Sequence, residues 1–165
     1  MRAFAWVFAA TALAVSFAGP AFADDSIRVY VSYAKENRIA SNIKNECKLV
    51  EQLRDFIVAG SSGAVSAGEG EPDTRRGSAL VVEITDSISQ GNAFMGHRKY
   101  TAIQGKLYRA GAEAGNFDAS RNSMGGAFAG YKGSCAVLGR TVKALAQDVN
   151  QWLKAPTKDA ALGDS

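Results

Sequence analysis

Residues 134–152 read SCAVLGRTVKALAQDVNQW, and Cys135, Leu138, Val142, Leu145, Val149 and Trp152 recur there at alternating spacings of three and four. That spacing puts all six on one stripe of an amphipathic helix. The helix starts near Ser134, and Pro156 stops it. Upstream, Ile43, Cys47, Val50, Leu53, Phe56 and Ile57 form a second stripe, with Ser41 or Asn42 as the cap and Gly60 at the end. Both cysteines therefore fall in the first turns of predicted helices, on the apolar side. A disulfide needs Cα atoms within about 7 Å, so a Cys47–Cys135 bridge would hold the two helices together near those turns.

The remaining segments alternate with the period of strands. Ile27, Val29, Val31 and Tyr33 point one way and Arg28, Tyr30 and Ser32 the other. Leu80, Val82 and Ile84 alternate within Ala79–Thr85, and Ile103 and Leu107 within Lys99–Arg109. Gly111–Gly115 supplies turn residues and Asn116–Asn122 a weaker partner strand, which together read as a hairpin. Asp86–Arg98 reads as a connection. The stretch SSGAVSAGEGEPDTRRG (61–77) has no apolar periodicity, which predicts a mobile loop. The small, polar stretch 157–165 predicts a disordered tail. The expected fold is α+β in the order βαβββα, a single mixed sheet of about four strands with two disulfide-linked helices on one face. The first helix would be a right-handed crossover between parallel strands, and residues 24–156 would make a single domain.

The beginning of the chain reads as a signal for export. Arg2 precedes an apolar run from Ala3 to Ala18, and Ala21-Phe22-Ala23 offers a small-x-small cleavage site before Asp24. The run is shorter than the ~20 residues of a membrane span. A periplasmic or secreted location follows, where two thiols tend to pair. Their separation of 88 residues makes such a bridge a structural staple. With 19 Lys+Arg against 16 Asp+Glu, the chain gives no electrostatic footprint for nucleic acid.

The order of elements across Ile27–Leu153, carried by the run Ala79-Leu80-Val81-Val82-Glu83-Ile84-Thr85, a glycine-punctuated hairpin and a closing helix, resembles small bacterial envelope domains. These are the amino-terminal domain of TolB and the periplasmic domain of the curli secretion lipoprotein. No cysteine follows the expected cleavage site closely, unlike the curli lipoprotein, and no propeller repeats follow, unlike TolB. The resemblance implies an accessory or assembly role in the envelope and carries over no functional residue.

No catalytic constellation emerges. Gly60-Ser61-Ser62-Gly63 lacks the spacing of a nucleophile elbow. His97 is the only histidine and sits in a cationic His97-Arg98-Lys99 run that reads as a solvated strand edge. Glu83 and Asp86 flank a strand end without an evident acidic partner. Gly125–Gly133 has the wrong spacing for a phosphate-binding loop and reads as close packing and turns. Two cysteines and one histidine fall short of a four-ligand zinc site, so no metal and no cofactor are expected.

Alternation leaves one surface to consider. With Ile27, Val29, Val31, Leu80, Val82, Ile84, Ile103 and Leu107 turned toward the helices, Tyr30, Tyr100 and Tyr108 fall on the opposite face, beside Val81 and Ala102. Tyrosines recur at binding hot spots. The leading reading is a non-enzymatic exported binding or envelope-assembly protein whose partner is another envelope protein. Two alternatives stay open: a small secreted hydrolase using His97 or a carboxylate pair, and a secreted inhibitor or effector presenting loop 61–77.

Overall fold

The computed structural model describes residues 26–92, 96–123 and 133–164. The expected signal segment and its cleavage site lie outside these residues, as does Gly125–Lys132 of the glycine-rich run. Strand β1 (Ile27–Tyr33) is followed by helices α1 (Ser41–Glu46) and α2 (Leu49–Gly60) and a short strand β2 (Val65–Ala67). Three long strands come next, β3 (Ser78–Asn92), β4 (Gly96–Arg109) and β5 (Ala112–Ser123), then α3 (Ser134–Trp152) and β6 (Ala160–Gly163). All six strands form one sheet in the order β2-β1-β3-β4-β5-β6.

The class is the expected mixed α+β with a single sheet, but the sheet has six strands rather than about four, and there are three helices among the described residues rather than two. Both extra strands are edges. β2 lies inside the stretch expected to be a mobile loop and pairs in parallel with β1, Ile27 opposite Val65. Val65 is buried there, so one apolar side chain and a few backbone bonds hold a segment whose composition alone gave no strand signal. β6 lies in the expected disordered tail and pairs in parallel with β5, Phe117 opposite Ala160 and Ala119 opposite Leu162. Polar contacts anchor it: the Asn116 side chain donates to the Asp159 carboxylate and accepts from the Asp159 backbone amide, and the Asn122 amide donates to Asp164.

The first predicted helix is broken. Lys48 adopts a left-handed conformation (φ 46°, ψ 44°) between α1 and α2, so the buried residues of α2 are Leu49, Leu53 and Ile57, while Val50 and Phe56 of the expected stripe are only partly buried. Cys47 caps the end of α1 rather than lying in a helix's first turn. The side chain of Gln52 donates to its carbonyl oxygen at 2.7 Å, satisfying an acceptor that the break would leave open.

β1 and β3 run parallel, with Val29 opposite Leu80 and Val31 opposite Val82. β3 and β4 form a long antiparallel pair that reaches Asn92 opposite Gly96, so Asp86–Asn92 and Gly96–Arg98 of the expected connection are instead paired strand. A bulge between Ile84 and Asp86 reverses which side chains of β3 face inward. Leu80, Val82 and Ile84 face the helices before it; Ser87 does so after it, 2% exposed and within hydrogen-bonding reach of Thr101. β4 turns into β5 at Ala110-Gly111, both with positive φ, as a tight two-residue hairpin turn requires.

The core lies between this face of the sheet and the helices. Leu138, Val142, Leu145 and Val149 of α3 pack with Leu53 and Ile57 of α2 over Leu80, Ile84, Ile103 and Leu107. Gly105 stands opposite Phe117, whose ring occupies the space a Cβ at Gly105 would need. That ring meets Trp152 edge-on at 4.9 Å. Cys47 and Cys135 are bonded, with Cα atoms 4.8 Å apart, and fasten the junction of α1 and α2 to the first turn of α3.

Candidate functional site

The sheet has two unlike faces. On the face away from the helices, β4 presents Tyr100, Ala102, Gln104, Lys106 and Tyr108, because these alternate with the buried Thr101, Ile103 and Leu107. β3 adds Val81, Glu83, Asp86 and Ile88, and β5 adds Glu113, Asn116 and Asp118, placed by register. The polar members bridge neighbouring strands: Gln104 donates to Glu83, and Lys106 pairs with Glu113 at 3.6 Å. Four carboxylates against Arg28 and Lys106 give the described part of this face an acidic balance.

The structure does not gather the three tyrosines. Tyr30 is 8% exposed, and its ring sits against Gly68, where a Cβ would come within 2.5 Å of the ring. The chain leaving β2 covers Tyr30, which is therefore a packing residue. Tyr100 and Tyr108 are half-buried on the same side of β4 but eight positions apart, about 27 Å at strand rise. Tyr108 lies opposite Ala79 and Glu113, and Tyr100 opposite Ile88 and Asn122.

The inner face carries an unexpected polar column. Past the bulge, Ser87 and Ser89 face Thr101 and Lys99 of β4, and Thr101 and Thr141 of α3 share a hydrogen bond of 2.8 Å. The Thr141 hydroxyl also lies 2.7 Å from the carbonyl oxygen of Leu138, to which it donates. Lys99 is only 4% exposed; its ammonium donates to Ser89 and, at 3.2 Å, to Ser134. Burial lowers its pKa from the ordinary lysine value, since taking the charge out of water disfavours the protonated form. This corrects the expectation of a solvated edge at Lys99; the side chains of His97 and Arg98 lie outside the described residues. The signal was present in the sequence, for Lys99 has the same parity as Thr101, Ile103 and Leu107.

Ser89 and Ser134 border a cleft of about 530 Å³ beside the disulfide, whose lining also includes Arg38, Glu46, Ser87 and Cys135. His97 lies in β4 opposite Gly91, and its side chain is outside the described residues. Glu83 and Asp86 both fall on the outer face, the bulge between them having reversed the alternation.

No family model matches this chain, and no curated protein matches it. Among solved structures, PelC from Paraburkholderia phytofirmans, described as a dodecamer, is 15% identical over 78% of this chain and 92% of its own, with a TM-score of 0.48. A minor lipoprotein from Acinetobacter baumannii is 12% identical over 80% and 94%, with a TM-score of 0.45. A Xanthomonas campestris protein assigned to the DUF330 family model is 13% identical over 82% and 87%, with a TM-score of 0.45. These likenesses concern chain outline, and no partner, location or activity follows from them for this protein.

Proposed function

We propose that this chain is an exported, non-enzymatic binding or assembly protein of the bacterial envelope, and that it contacts another envelope protein through the outer face of its sheet. One observation carries this reading. The helices pack on one face, while the opposite face keeps Tyr100, Val81, Ile88 and Tyr108 among charged side chains, with no helix over them among the described residues. A sheet face needs cover only where it is apolar, and this one mixes aromatic contact area with charge, the composition of a recognition surface. Its carboxylates Glu83, Asp86, Glu113 and Asp118 suit a partner that presents basic side chains. The signal-like first 23 residues and the bridged cysteines support an oxidising, extracytoplasmic location.

The test is the double variant Tyr100→Ser/Tyr108→Ser in the full exported protein. We expect its melting temperature to stay within a few degrees of the parent while the envelope protein recovered with the parent is lost. Undiminished recovery of that protein by the folded double variant would remove this face from the reading.

A further inference from the structure

The buried ammonium of Lys99 has hydroxyls around it and, among the described residues, no ion-pair partner. It is only 4% exposed, yet among the described residues no carboxylate stands within ion-pair distance. Its partners, the hydroxyls of Ser89 and Ser134, accept from it. Each hydroxyl keeps its own proton to donate onward, and among the described residues neither has an acceptor for it. Ser134 is also the first residue of the 19-residue helix α3, whose start at Gly133 has no side-chain cap, so the positive end of the helix adds to the same potential. A buried cation, two polarised hydroxyls and a helix start thus converge where, among the described residues, no carboxylate pairs with the ammonium.

Ser89 and Ser134 both line the cleft of about 530 Å³, and Arg38 lines it too. We propose that this cleft binds the phosphate group of a phosphate ester, with Lys99 as the charge behind it, Ser89 and Ser134 as donors and Arg38 as a second cation. These donors outnumber the two oxygens of a carboxylate and suit a tetrahedral anion. The volume exceeds what an inorganic ion fills, which leaves room for the esterified part. Glu46, on the same lining, sets a like charge against the ligand and limits affinity for it. The phosphate can belong to a small soluble ester or to a lipid headgroup, and the two sources are separable.

The disulfide-bonded exported protein is titrated with glycerol 3-phosphate by calorimetry and floated with phosphatidylglycerol vesicles, at physiological ionic strength. Binding of either probe is expected, and the arm that shows it identifies the source. Lys99→Met and Arg38→Ala should each weaken binding about tenfold or more, the loss of one charge-assisted bond, and Glu46→Gln should strengthen it. Arg38 is exposed, so its variant keeps the test valid if Lys99→Met folds poorly. Binding of neither probe by the parent protein, or binding that both cation variants leave unchanged, would overturn the proposal.

Discussion

Arg121 and Asp148 join β5 to α3 through a two-pronged ion pair, with Nη2 2.7 Å from Oδ1 and Nε 2.8 Å from Oδ2. The same guanidinium reaches Asp164 through Nη1 at 2.9 Å. One side chain therefore ties the sheet, the long helix and the residue after β6. Arg121→Ala should cost about 1.5–3 kcal/mol, the range for hydrogen bonds to charged groups. Amide exchange at Ala160–Gly163 should quicken more than exchange in the middle of α3. The Asp164 carboxyl is held below its ordinary 3.8, first by the Asn122 amide and then by Arg121. A carboxylate lowered on folding contributes stability above its unfolded pKa and loses it as pH falls through the lower folded value. Protection of β6 should thus fade on acidification below about pH 4, and Asp164→Asn should abolish that dependence.

Lys99 gives the opposite test at high pH. Its folded pKa lies below the ordinary 10.5, so between the two values the unfolded chain binds more protons than the folded one. Stability attributable to this residue therefore rises with pH across that window and levels off above 10.5. Denaturant titrations of the parent and of Lys99→Met in the alkaline range should diverge with this slope. Parallel curves would mean that the ammonium is as well solvated in the fold as outside it.

Reduction should loosen the helical layer first. Cys47–Cys135 spans 88 residues, for which loop-closure entropy gives about 4–5 kcal/mol. The double variant Cys47→Ser/Cys135→Ser, or the parent in reductant, should lose several kcal/mol in urea unfolding, with α1 exchanging its amides ahead of the β3–β4 hairpin. A loss below 1 kcal/mol would show that helix packing alone positions these segments.

The tyrosines should separate into two classes. Tyr30, covered at Gly68, is a packing residue, so Tyr30→Ser should cost about 3 kcal/mol, as large-to-small changes of buried aromatics do. Tyr100→Ser and Tyr108→Ser should each change stability by less than about 1 kcal/mol, the scale of a cross-strand pair. Thermal melts of the three single variants distinguish these outcomes.

What the sequence showed plainly were the elements whose apolar period is unbroken. The α3 stripe, β1, the first half of β3 and the Ile103–Leu107 face all lie where their spacing puts them. The alternation stops being readable at the bulge after Ile84. Beyond it Ser87 and Ser89 face inward, so the strand there has no apolar rhythm to detect. Lys48 hid the break between α1 and α2 because left-handed residues other than glycine leave little mark in sequence. β2 and β6 are held by backbone pairing and a few polar contacts, which composition does not report. Lys99 was misread for another reason: its charge outweighed its parity, although the parity was right. The tyrosine face was legible as a face, but the covering of Tyr30 depends on where the chain after β2 runs.

The most direct measurement places a photo-crosslinking residue at Tyr100 or Tyr108 in the exported protein, and in parallel at Arg140, an exposed position on α3. Binding through the outer face of the sheet requires the two sheet positions to yield an adduct with the same envelope protein in intact cells while Arg140 yields none. Adducts from Arg140 alone, or none from either tyrosine position, would contradict it.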